Sequence, residues 1–207
     1  MRNVAIYHCS IRIIGRSKGR SAVAYAAYCS GTKLYDKEVR KTYNYTGQNS
    51  VVHSEINLPQ NAPSEFYDRE KLWNAVHEIE TRSDAQLARE VEVALPREFI
   101  RQEQIDTVRE YVMNNFVHKG MCADWGIHDK GDGNPYAHIL LTLRGFKPNG
   151  EWASKSKTIY VLDENGEKIP VIDPETGEQK LRIRNGKGAE KLWQQKTIST
   201  SDWNDRS

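Results

Sequence analysis

Residues 121–143, MCADWGIHDKGDGNPYAHILLTL, decide how this chain folds. Residues 121–128 alternate as a strand does, DKGDGNP supplies the Asp, Gly, Asn and Pro of a turn, and residues 136–143 form a second strand. So short a connection predicts an antiparallel hairpin. Side chains two apart on a strand share a face. Tyr136 and His138 therefore point the same way, and His128, ending the neighbouring strand, can reach that face. Two imidazoles converging on a sheet are a candidate divalent-metal site, because a neutral ring offers a nitrogen lone pair.

Working outward, residues 86–95 (QLAREVEVAL) read as another strand, closed by Pro96. Glu90 and Glu92 alternate with Val91, Val93 and Leu95, so the two carboxylates share a face that is either solvent or a site. Residues 5–14 and 51–58 are further strands, and 33–45 a short hairpin or arm. Three segments carry helical signals: 21–31, with Ser21 as N-cap and Gly31 as C-cap; 65–82; and 100–117. Residues 158–184 hold two turn signals, DENGE and DPETGE, between apolar runs, predicting a meander or protruding hairpin. Residue 189 onward reads as helical. Interleaved strands and helices with antiparallel pairing give an α+β fold, a central, mainly antiparallel sheet with helices packed behind it. The chain reads as a single domain, 1–207, with a protruding hairpin region around 158–187 and a natural sequence that continues at the C-terminus.

Hydrophobic residues at 38% and charged residues at 28% give the balance of a globular chain. No apolar run is long enough to span a bilayer, and the opening residues alternate instead of forming a signal-peptide core; a cytoplasmic location is expected. The net charge of +2 says little about nucleic acid, but its distribution says more. Arg12, Arg16, Lys18 and Arg20 lie together with no acidic neighbour, and Lys180, Arg182, Arg184, Lys187 and Lys191 stand against Glu190 alone. Such clusters can form a phosphate-binding surface. Three cysteines without CxxC spacing exclude a disulfide framework or structural zinc site; Cys9 and Cys122 alternate with apolar neighbours and are expected in the core. Tyr25 and Tyr28 follow the basic loop on the alanine-rich helix, and either phenol needs a base or nearby cation to act as a nucleophile.

Taken together, three blocks carry a resemblance. AIYHCSIRIIGRSKGRSAVAYAAYCSG (5–31), LWNAVHEIETRSDAQLAREVEVALP (72–96) and IHDKGDGNPYAHILLTLRG (127–145) resemble, in order and spacing, the mobilisation relaxases of the MobA/MobL family. In that family the last block runs His, seven residues, His, one residue, His, over a turn ending in Asn-Pro. The resemblance implies a palm-like fold of the histidine–tyrosine relaxase type. It implies nicking and rejoining of one DNA strand at a plasmid origin of transfer through a 5′-phosphotyrosine, assisted by Mg²⁺ or Mn²⁺. The nucleophile falls on Tyr28 and not Tyr25, the metal positions on His128, Tyr136 and His138, and the active-site acid on Glu90, with Glu92 a weaker match. Implied partners are single-stranded DNA, the origin hairpin, and relaxosome and coupling proteins, without membrane insertion. Arg16, Lys18 and Arg20 in the first loop, and Arg182, Arg184 and Lys187 in the hairpin region, are the candidate DNA contacts.

One departure matters. Tyr136 stands where the family has histidine, and a phenol ligates well only after losing its proton. Two other readings stay open: a rolling-circle replication initiator, which shares the histidine–tyrosine chemistry, and, because of Tyr136, a module that binds an origin hairpin without cutting.

Overall fold

The computed structural model describes residues 8–183 and 188–200. The chain forms two compact units, Met1–Ala153 and Ser154–Ser207.

The first unit is built on a five-stranded sheet of β1 (Cys9–Gly15), β4 (Val51–Asn57), β5 (Gln86–Ala94), β6 (Ala123–His128) and β7 (Tyr136–Leu141), in the order β1-β5-β7-β6-β4. Every neighbouring pair is antiparallel. The hairpin expected at 121–143 forms the centre of the sheet as β6 and β7. A separate hairpin joins β2 (Lys33–Asp36) to β3 (Lys41–Asn44).

Helices cover both faces. Helix α1 (Ala22–Ser30) packs on β4, β6 and β7 beside α2 (Arg69–Ile79). Ala22, Ala26, Ala27, Leu72, Trp73 and Val76 close a core there with Ile14, Ile56, Ala88, Cys122 and Leu140. Strand alternation puts Val91, Trp125, Ile127 and Ile139 on the other face, and all four are buried. On that side Arg109 of α3 (Arg101–Val112) forks onto Glu55, whose register partner is Trp125, while Val108 and Val112 are buried. The central strands β6 and β7 are buried along nearly their whole length on both faces, apolar on the α3 side and bearing polar site residues on the α1 side, so each face is covered.

Local chemistry sets the helix ends. The Ser21 hydroxyl accepts from Ala24 N–H at 3.1 Å, and Gly31, at φ 65°, closes α1 in the left-handed conformation that glycine adopts without a Cβ penalty. Helix α2 starts later than the periodicity predicts, because the Asp68 carboxylate accepts from Glu70 and Lys71 N–H and a tighter turn, Ser64–Tyr67, precedes it. Asp124, fully buried in β6, is held by both carboxylate oxygens to Arg69 Nε (2.8 and 2.9 Å) and by Trp73 Nε1 at 2.8 Å. This ties α2 to the sheet. Burial raises the Asp124 carboxyl above its ordinary range, against the opposing pull of Arg69.

In the second unit β8 (Ser156–Tyr160) pairs with β11 (Gln195–Ser199), and β9 (Leu181–Ile183) with β10 (Ala189–Lys191). The helix expected from residue 189 is therefore wrong over residues 189–200; its remainder, 201–207, lies outside the described residues. Residues 189–191 pair with the nearby β9 and residues 195–199 with the distant β8, and strand pairing overrides a weak helical propensity. Cys9 is a second correction: it is exposed, on the edge strand β1 beside the equally exposed Ile11, whereas Cys122 is buried as expected. Among the described residues no helix is long and apolar enough to cross a membrane.

Candidate active site

The last turn of α1 carries Tyr28 and rests directly on β6. A Cβ added at Gly126 would overlap the Cys29 carbonyl oxygen, so the absence of a side chain at this strand position permits the close approach. His128 Nε2 donates to the same carbonyl at 3.0 Å, satisfying one of the acceptors left open at a helix C-terminus. Gly126→Ala is expected to push α1 off the sheet and lower unfolding free energy by about 1–3 kcal/mol, the usual cost of overpacking. Urea denaturation measures this, and an unchanged midpoint would show that α1 is not pinned there.

Around Tyr28 the aromatic rings converge. Its centroid lies 5.4 Å from that of His128 and 5.5 Å from that of His138, and the two imidazoles are 4.8 Å apart. Tyr136, the register partner of His128, lies 5.5 Å from His128 and 5.2 Å from His138. Tyr45, just after β3, meets Tyr28 edge-on at 5.6 Å. The Tyr28 and Tyr136 phenols interact with one another at the cleft. Burial is the main cause that raises the Tyr28 phenol above its usual value, with Tyr136 and Cys29 adding and Lys130 opposing. Tyr136 is likewise raised by burial and then by Glu92. Tyr28, Tyr45, Tyr136 and His138 border a cleft of about 430 Å³ that Tyr25, Glu90, Glu92 and Arg12 also line.

The sheet register explains the carboxylates. Glu92 lies opposite His138, and Glu90 opposite Leu140, on the same face. That face is covered rather than open to solvent: Glu90 is 2% exposed, buried beneath the cleft. His138 Nδ1–H donates to Glu90 Oε1 at 2.9 Å, and its Nε2 is buried without a hydrogen-bond partner in the structure. A histidine fixed by a carboxylate through one nitrogen and offering the other is the usual arrangement of a metal ligand.

The residues present fit a divalent cation on that observation. His138 Nε2 is ready. His128 is more committed, since its Nε2 donates to Cys29 and only Nδ1 keeps a lone pair, approached by Gln48 Nε2 at a long 3.4 Å. Burial lowers the His128 pKa from its ordinary value, keeping the ring neutral as ligation needs. Tyr136 offers a phenol oxygen. Cys29, Glu90 and His138 also bring ligand atoms within 4.8 Å of one another. Burial, reinforced by Glu90, pushes the Cys29 thiol well above its usual range, and a protonated thiol is a poor ligand. The histidine set is the better one.

The basic residues named from the sequence separate. Arg16 is occupied inside the protein: its Nη2 donates to the His77 and Glu80 carbonyls at the end of α2, at 3.1 and 2.8 Å, and it pairs with Glu38. Its basic neighbours misled the sequence reading, because it caps α2. Arg20 is half-buried and donates to the Ile13 carbonyl, whereas Lys18 and Arg182 are exposed. Arg184 and Lys187 lie outside the described residues. Sequence reasoning missed Gly126 and Tyr45. A lone glycine inside an apolar strand was the available signal for the first; nothing local marked the second.

The MobA/MobL family profile matches residues 20–207. The chain is 39% identical over 199 residues to "Probable mobilization protein MobA" of Bifidobacterium longum, a match covering 95% of this chain and 34% of that protein. It is 38% identical over 212 residues to "Conjugal transfer protein TraA" of Agrobacterium fabrum, covering 97% of this chain and 18% of that protein. The chain thus spans about a third and about a fifth of these relatives. A solved structure described as "Molecular Basis of Vancomycin Resistance Transfer in Staphylococcus aureus" superposes with a TM-score of 0.69 at 37% identity, covering 73% of this chain and 77% of that one.

Proposed function

The chain belongs to the MobA/MobL family, and on that premise we propose that it nicks and rejoins one DNA strand at an origin of transfer through a 5′-phosphotyrosine on Tyr28. One observation carries this reading: the Tyr28 phenol opens into a cleft beside His138, whose Nε2 is buried, unpartnered and aimed by Glu90. His138, His128 and Tyr136 would hold a Mg²⁺ or Mn²⁺ ion. When bound, the ion supplies a Lewis acid that polarises a non-bridging phosphate oxygen.

The protein's own residues do the rest. Helix α1, seated on Gly126 and His128, holds the Tyr28 oxygen at the cleft. That oxygen attacks phosphorus, the bond to the 3′-oxygen breaks, and the phenolic proton leaves to solvent while the 3′-oxygen takes one up. The ester keeps the reactivity of the phosphodiester, so the 3′-hydroxyl can reverse the step. Glu90 is a positioning residue that fixes the His138 ring. Lys18, Arg20 and Arg182 are the proposed phosphate contacts that set the position of the strand, and the relaxosome and coupling proteins are proposed partners.

Incubation with a random pool of single strands in Mn²⁺ tests the reading. A band on a denaturing gel that resists SDS, with the DNA joined through its 5′-phosphate to Tyr28 by peptide mass, is the expected result. Binding without any adduct would make the chain a non-cleaving module instead. Failure to bind any strand at low salt would remove DNA from its function.

A further inference from the structure

We infer that Arg12 is a phosphate-binding residue of the Tyr28 cleft, gripping the DNA phosphate that the cleft receives; the inference rests on the nicking function proposed above. Arg12 lies on β1 directly opposite Glu90 in the sheet register, and Glu92 lies opposite His138, so strand alternation brings Arg12 to the face that carries the histidines. Its side chain lines the same cleft as Tyr28 and His138.

Electrostatics require a group of this kind. A phosphate entering the cleft meets Glu90 and Glu92, and repulsion opposes it. Among the described residues lining the cleft, Arg12 is the one permanently cationic side chain. It is also aimed. Nη2 donates to Glu92 Oε2 at 2.8 Å, and Nε stands 3.5 Å from Glu90 Oε2. These contacts hold the planar fork against the acidic floor, while about half of the side chain stays exposed. Among the described residues, Nη1 has no hydrogen-bond partner, so a donor edge is available to phosphate oxygens, the recognition for which a guanidinium fork is suited. Arg16 makes the contrast, since its Nη2 is used on the α2 carbonyls and its Nη1 on Glu38. Among the described residues β1 is the edge strand of the sheet, with no further strand paired beyond it.

The test uses the whole chain carrying Tyr28→Phe, so that binding is read without chemistry. The probe is a fluorescent single strand enriched from a random pool by binding to the unmodified protein. A matched set of strands carries one neutral methylphosphonate at each successive position. Adding Arg12→Gln is expected to weaken binding of the all-phosphate strand by about 10–100-fold, the range for a hydrogen bond to a charged group. One strand of the set should lose affinity for the Arg12 protein and be bound equally with and without Arg12→Gln, because its neutral position removes the phosphate that the fork grips. Arg12→Lys should recover part of the loss, as charge without the fork. Loss by the same factor on every strand would overturn the inference, since that is the signature of Arg12 merely supporting Glu90 and Glu92. No loss at all would overturn it too. Adduct formation by the unmodified protein is scored separately. An Arg12-dependent phosphate in a protein that never forms an adduct would leave this inference standing and remove the nicking reaction.

Discussion

Tyr28→Phe is expected to form no covalent adduct with DNA while binding the same strand with nearly unchanged affinity. The substitution deletes the oxygen that attacks phosphorus and keeps the ring that packs edge-on against Tyr45 and His138. Helix α1 keeps its Ser21 cap and its seat on β6, neither of which involves the phenol. The lost contact with the Tyr136 phenol faces the cleft, where water can replace it. Tyr25→Phe is the control. Tyr25 lines the same cleft one helical turn earlier, and its variant should still form adduct at full yield. A denaturing gel with radiolabelled oligonucleotide reads both. Full adduct from the Tyr28 variant would move the nucleophile elsewhere; loss confined to the Tyr25 variant would move it one turn back.

Replacing Tyr136 should have the second large effect, and in the direction of gain. Its ring lies 5.5 Å from His128 and 5.2 Å from His138, at the position where the family has histidine. A neutral imidazole there would present a lone pair without giving up a proton. The phenol must lose one, and burial together with Glu92 pushes that loss to still higher pH than the ordinary ~10 of tyrosine. Tyr136→His is therefore expected to tighten Mn²⁺ binding at neutral pH by about tenfold or more, since each unit of proton cost avoided corresponds to a factor of ten, and to raise the nicking rate with it. The advantage should narrow as pH rises and the phenol ionises. Tyr136→Phe separates two versions of the present site. Weaker Mn²⁺ binding by the Phe variant means that the phenol oxygen ligates; unchanged binding means that the histidines and water suffice. Calorimetric titration with Mn²⁺ across pH measures all three proteins. If the His variant binds no more tightly than tyrosine at neutral pH, Tyr136 does not contact the ion.

Much of the frame was legible in the sequence because it depends on local pattern. The alternation of residues 121–143 located β6 and β7, and the i, i+2 spacing put Tyr136 and His138 on one face. Ser21 and Gly31 bracketed α1 through cap chemistry that acts within a turn. Alternation also set Glu90 and Glu92 on a shared face, leaving open whether water or protein covered it. Only the tertiary structure decided that. Helix α1 closes over the face, which buries Glu90 and leaves His138 Nε2 without a partner. Packing likewise committed His128 Nε2 to the Cys29 carbonyl and turned Arg16 from an expected DNA contact into a cap on α2. It also drew residues 195–199 into antiparallel pairing with β8. In each case the partner lies far along the chain. Strand and helix periods tell a residue which way it faces; what it meets there depends on which distant surface is brought against it, and no local period encodes that.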